Sequence, residues 1–172
     1  CTFGAGGYSK QLLKFSKTKV KGLDRDSKVK EIGIKLEKSY PLRFKFHQTT
    51  FSQINTITKD LVDVIIFDLG LSSIQLNDLD RGFSFKSNEN LDMSMGLNEI
   101  SAKDVINEAS ELELKLIIKI LGEEKEAARI AKNIVKFRNK KKIIKVQDLV
   151  NIIEKSKRKN HSSKINPCTK TF

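Results

Sequence analysis

The chain has 172 residues, 38% hydrophobic and 31% charged, with a formal net charge of +12. That suits one domain, or one domain with a sizeable insertion, and excludes a chain disordered throughout. No apolar run approaches the roughly 18 residues of a membrane span, and Cys1 and Cys168 stand at opposite ends, giving neither metal spacing nor a disulfide framework, so a reducing compartment is expected.

The chain opens on a turn with three glycines, Gly4-Ala5-Gly6-Gly7, and residues 9–15 after it read as a short helix. Residues 20–23 read as a strand ending at Asp24. Val29, Ile32 and Leu36 recur at helical spacing within residues 27–40, with Ser27 as the N-cap. Residues 43–46 alternate as a short strand does. Residues 64–69 are continuously apolar up to Asp68, which suits a central parallel strand buried on both faces. Strand–helix–strand alternation of this kind predicts a parallel α/β sheet with right-handed crossovers.

Residues 70–98 are rich in Ser, Asn, Asp and Gly, and form a loop long enough to be functional. From Ser101 onward the pattern is helical. Ser101…Asp104 and Ser110…Glu113 resemble capping boxes, the second opening a helix that carries Leu112, Leu116, Ile117 and Ile120 and ends at Gly122. Glu123, Glu124 and Glu126 open a further helix, with Lys136 and Arg138 near its end, the charge order a helix dipole favours. Residues 147–157, with Leu149, Ile152 and Ile153, form a third amphipathic candidate. No internal repeat is visible. Residues 136–164 hold 11 Lys or Arg against two acids, Asp148 and Glu154, and so carry nine of the net twelve charges. A surplus concentrated in this way points to a polyanionic partner, RNA or DNA, with a solvated helix face as the plainer alternative.

Three features carry chemistry. A glycine turn between strand and helix admits a ligand close to the backbone and leaves N–H groups at the helix start. Asp24, 17 residues after Gly7 and at the end of the next strand, suits an acceptor for ribose hydroxyls. Together they indicate a nucleoside-containing cofactor without separating NAD from S-adenosyl-L-methionine, although the full G-x-G-x-x-G spacing is absent. Asp68 ends an apolar run, where ligands sit in open α/β sheets, and Leu69-Gly70-Leu71-Ser72-Ser73-Ile74-Gln75-Leu76 follows as a polar lip. His47 and His161 have no ligand partner nearby and read as structural.

The stretches CTFGAGGYS at 1–9, LDRD at 23–26, DLGLSSIQL at 68–76, DRGFSF at 80–85, LDM at 91–93, GEE…ARIAKNIV at 122–135 and PCTKTF at 167–172 are recognisable together. They resemble the MraW (RsmH) family, S-adenosylmethionine-dependent methyltransferases that modify the exocyclic N4 amine of a cytidine in small-subunit ribosomal RNA. The resemblance implies an α/β, Rossmann-like class I methyltransferase fold, its parallel sheet incomplete here, with an inserted all-helical domain. It implies a cofactor-binding part at 1–95, a helical and basic insertion at 96–164, and a return to the methyltransferase core at 165–172. For the cofactor it implies Gly6, Gly7 and Tyr8 at the methionine end, Asp24 on the ribose, Phe51 beside the adenosine, and Asp68 and Gln75 as further contacts. Asp68, with Ser72 and Ser73 beside it, is the candidate catalytic group, since no Asn-Pro-Pro-Tyr or Asp-Pro-Pro-Tyr motif is present. Ser94 stands where the family usually has Arg, Ile74 where Pro or Met is common, and Cys168 where Ala is usual. The implied partner is small-subunit ribosomal RNA or the small ribosomal subunit, with no membrane and no readable oligomeric state. The implied compartment is the bacterial cytoplasm, with the mitochondrial matrix as the alternative. A family member also carries a strand before Cys1 and further strands after Phe172, so this chain by itself is expected to bind the cofactor poorly. A non-catalytic RNA-binding remnant and an NAD-binding Rossmann domain are the competing readings.

Overall fold

Val20–Asp24 forms strand β1 and Phe44–Gln48 strand β2, and the two pair in parallel with Val20 opposite Phe44 and Asp24 opposite Gln48. The structure is a computed structural model that describes residues 2–97, 100–158 and 165–172. Cys1, His161 and the part of the basic run at 159–164 lie outside the described residues. Two compact units are present, the first comprising Cys1–Ile74 with Met95–Glu99 and the second Gln75–Ser94 with Ile100–Phe172.

In the first unit, helix α1 spans Gly7–Leu12. Parallel neighbours need a crossover, and helix α2, Lys30–Ser39, supplies it. Leu36 of this helix and Val29 just before it meet Leu13, Phe3 and Phe44 in one apolar cluster. The Phe3 ring lies 5.6 Å from Phe44 and 5.2 Å from Phe46, within the range of favourable ring pairs. The expected cap Ser27 does not serve α2: the capping side chain is Asp26, which caps the 3-10 turn ahead of the helix, and α2 itself has Val29 at its N-cap with no side-chain bond. The Asp26 carboxylate accepts from Lys28 N–H at 3.0 Å, and Ser27–Val29 forms a 3-10 turn that leads into the helix. Burial lowers the pKa of His47 on β2, helped by the nearby charges of Lys21 and Lys45. Its Nε2 is buried without a hydrogen-bond partner.

The expected strand at 64–69 does not form. β1 and β2 pair only with each other among the described residues. The run stays open, with Val64 72% and Leu69 69% exposed. Continuous apolarity suits burial on both faces but does not by itself fix a strand ladder. At the end of the run the Asp68 N–H goes to the Thr2 hydroxyl instead of a strand carbonyl. Two short helices follow β2: α3, Ile54–Ile57, and α4, Ser73–Asn77, within which the division between the units falls.

The second unit is helical, with α5 at Ala102–Glu108, α6 at Glu111–Ile120, α7 at Ala127–Arg138 and α8 at Val146–Ser156. Both predicted capping boxes are present, at Ser101 with Asp104 and at Ser110 with Glu113. The face of α6 that packs inward is Leu114 and Ile118, while Leu112, Leu116, Ile117 and Ile120 remain exposed. Glu123 and Glu124 precede α7 rather than opening it, and Glu126 is its N-cap residue. Burial alone would raise the pKa of Glu124. The Lys157 ammonium at 2.6 Å and the Glu126 N–H outweigh that and hold it below the usual value. Gly122 is not the left-handed cap of α6, since that conformation falls on Glu123 with φ of 51°. Gly122 is small for a different reason: a Cβ there would stand 1.9 Å from the Lys170 carbonyl oxygen. Residues after 165 therefore pack tightly on this unit. Cys168 is buried in its core, and burial pushes the thiol up to about 11. No helix among the described residues is long and apolar enough to cross a membrane.

Candidate functional site

The glycine turn is built on the end of β1. Phe3 N–H donates to the Leu23 carbonyl at 2.9 Å, which lays Thr2 and Phe3 beside the strand. The chain then reverses through Gly4 and Gly6, both with positive φ. At Gly6, φ is 78° and an added Cβ would meet the Phe3 ring at 2.8 Å, so conformation and space both demand glycine. At Gly7 nothing stands within 4 Å of an added Cβ. The backbone there faces open space, where a ligand can approach it. Tyr8 follows on α1 with its side chain 59% exposed.

Asp24 anchors this turn. Its Oδ2 accepts from Gly4 N–H at 2.8 Å and its Oδ1 from Asp26 N–H at 2.9 Å. A carboxylate offers about four lone-pair sites, so acceptor capacity remains for hydroxyl donors. On the other side of the same strip, Asp68 N–H donates to Thr2 Oγ1 at 2.8 Å. The Ser72 Cβ lies 3.8 Å from where a Gly4 side chain would begin. The loops bearing Asp24 and Asp68 are thus held to opposite ends of the Thr2–Gly4 segment, although they stand 44 residues apart in the chain. Phe51, in a 3-10 turn after β2, is 44% exposed and meets Phe67 edge-on at 5.5 Å. Ser73 starts α4 and is exposed.

The first unit therefore holds Gly6, Gly7, Tyr8, Asp24, Phe51, Asp68, Ser72 and Ser73. Contacts through Thr2 and Gly4 join Asp24, Asp68 and Ser72. Gln75 belongs to the second unit, where it is buried. Over residues 1–172 the sequence matches the MraW methylase family. This chain belongs to that family. It is 43% identical to the ribosomal RNA small subunit methyltransferase H of Orientia tsutsugamushi strain Ikeda over 177 residues, covering 100% of this chain and 57% of the relative. The proteins of that name from Ehrlichia canis strain Jake and Rickettsia africae strain ESF-5 are each 42% identical. They are matched over 99% and 100% of this chain and 59% and 56% of their own lengths. The chain thus spans a little over half the length of these curated relatives.

With the MraW family established, the NAD-binding alternative loses its basis. Two residues of the site escaped the sequence reading. Thr2 is the hydroxyl that bridges to Asp68, and no pattern marks a lone threonine. Phe67 lies in a continuously apolar run, where nothing local distinguishes it from Val64, Ile65 and Ile66. The signature DRGFSF proves to be internal scaffolding of the second unit. Arg81 is buried, donates from Nη2 to the Ser94 carbonyl at 2.7 Å, and stacks over Phe83 at 5.0 Å. Leu91 of the LDM stretch is fully buried in the helical core.

Proposed function

We propose that this chain serves methyl transfer from S-adenosyl-L-methionine to the exocyclic N4 amine of a cytidine in small-subunit ribosomal RNA. The observation that carries the reading is the Thr2–Gly4 strip tied to Asp24 at one side and Asp68 at the other, in a chain of the MraW family. The residues present fit the cofactor. Gly7 leaves its backbone open, Asp24 keeps acceptor capacity for ribose hydroxyls, and Phe51 is partly exposed beside Phe67.

When bound, S-adenosyl-L-methionine supplies an electrophilic methyl group on a sulfonium. The chain's own residues have two tasks. Gly6, Gly7 and Tyr8 at the turn, Asp24, Phe51 and Asp68 hold and orient. Asp68, with Ser72 and Ser73, receives the cytosine, whose amine lone pair is delocalised into the ring. A carboxylate accepting from that amine draws charge onto the nitrogen and aligns it for in-line attack. The target base is unstacked to reach such a pocket. The same reading takes residues 1–95 as the Rossmann-like class I methyltransferase part, residues 96–164 as the inserted helical domain and 165–172 as the return, although by contacts residues 75–94 and 165–172 group with the helices. It places the work in the bacterial cytoplasm, where small ribosomal subunits are made. The test is labelled methyl transfer to small ribosomal subunits by a protein of the relatives' full length carrying these residues. Asp68→Asn is expected to lower kcat by at least about tenfold at saturating cofactor. Full turnover with Asp68→Asn removes Asp68 from catalysis.

A further inference from the structure

The basic run at 136–158 is not uniform once folded. Arg138 donates to the Ile106 carbonyl at 2.7 Å. Lys145 pairs with Glu89 at 3.4 Å, and Lys157 with Glu124 and the Pro167 carbonyl at 2.6 and 3.0 Å. These cations hold the second unit together. Lys136, Lys140 and Lys155 take no such part, and no acid among the described residues pairs with them. All three line one groove of about 270 Å³ between α7 and α8, with Phe137, Ile152 and Asn133.

The groove is apolar at its base and cationic at its edge. Its walls are fixed: Asn133 donates to Ser156 Oγ at 2.8 Å, and that hydroxyl donates to the Ile152 carbonyl at 2.6 Å, joining α7 to α8. Helix α7 contains no acid, and the acids of α8, Asp148 and Glu154, do not line the groove. An aromatic side chain set among unpaired lysines is the pattern that single-stranded nucleic acid requires. Bases stack on the ring, and phosphates follow the charge. The volume falls slightly below the about 300–1,000 Å³ of sites that enclose whole small molecules, which suits a single base with its phosphates outside.

We propose that this groove between α7 and α8 binds unpaired RNA, seating one base against Phe137 and its flanking phosphates on Lys136, Lys140 and Lys155. The proposal rests on the ribosomal RNA reading above and adds to it a docking site in the helical unit.

The test measures binding of the 172-residue chain to a labelled single-stranded RNA of about 12 nucleotides across a range of salt concentrations. The variant Lys136→Gln/Lys140→Gln/Lys155→Gln is compared with Lys17→Gln/Lys35→Gln/Lys38→Gln, which removes the same charge from the first unit. The groove variant is expected to weaken binding roughly tenfold or more and to flatten the salt slope by about 2, with the control close to wild type. Phe137→Leu is expected to weaken binding with the slope unchanged. Equal effects of the two triple variants, with RNA still bound, overturn the groove and leave the methyltransferase reading standing. Absence of methyl transfer by the unsubstituted full-length protein, with groove binding intact, does the reverse. Equal affinity for poly-glutamate, with Phe137→Leu silent, overturns the RNA assignment in favour of an acidic protein.

Discussion

Gly6 and Gly7 are adjacent and chemically identical, yet the structure gives them opposite roles. Gly6 is required by the fold, since its φ is 78° and the Phe3 ring occupies the space of a side chain. Gly7 is open on that side. Gly6→Ala is therefore expected to destabilise the first unit by about 1–3 kcal/mol. Gly7→Ala is expected to leave thermal stability unchanged or slightly raised, because alanine favours a helix by up to about 1 kcal/mol over glycine. The same Gly7→Ala change should weaken S-adenosyl-L-methionine binding in a full-length protein, read by calorimetric titration, if a ligand lies against that backbone. A loss of melting temperature in Gly7→Ala comparable to that in Gly6→Ala would mean that the turn serves folding alone. Asp24 ends β1 and stands out in the sequence for that reason, whereas what marks Asp68 is the end of an expected strand that does not form. Thr2 does not stand out, because its role depends on a partner 66 residues away.

At the scale of elements, local signals were reliable and long-range ones were not. The capping boxes at Ser101 and Ser110 are read from four consecutive residues, and both are present in the fold. The run at 64–69 failed as a strand because pairing depends on a neighbour that no local pattern describes. The segment before α7 shows a further limit. Glu124 looked like a helix-opening acid and is instead a buried partner of Lys157, the carboxylate only 4% exposed. Removing the cation strands that charge, so Lys157→Met is expected to cost about 3–5 kcal/mol at pH 7, measured by urea unfolding. The folded pKa of Glu124 lies below its ordinary 4.5. Its contribution is therefore present above that value and is lost as the pH falls through the folded pKa. The cost of Lys157→Met should shrink correspondingly in acid. A mutant equally stable at both pH values, and no weaker than wild type, would show that the pair contributes nothing.

For the whole molecule, the balance is between what is covered and what is not. The second unit buries a single apolar cluster that includes Leu91, Ile130, Ile134, Ile143 and Ile153. The first unit leaves Leu61 fully exposed and Val64, Phe67 and Leu69 at least half exposed. A contiguous apolar stretch of this kind marks a surface prone to association. The chain is expected to bind the dye ANS and to self-associate at high concentration. Leu61→Lys/Val64→Lys should reduce both without lowering the melting temperature. Undiminished dye binding in that variant would locate the exposed apolar surface elsewhere, the outer face of α6 being the next place to look.

The tight seat of the Lys170 carbonyl on Gly122 has a consequence in time. Cys168 completes the interior of the helical unit, and the Phe172 ring meets Phe85 edge-on at 6.3 Å. The unit therefore draws its last packing partners from residues synthesised some ninety positions after its first. As the chain leaves the ribosome, α5 to α8 emerge and wait with an open core. Full closure is expected only when the stretch at 165–172 arrives. A nascent chain arrested before that point should remain sensitive to protease across the helices, and one arrested after it should become resistant in a single step.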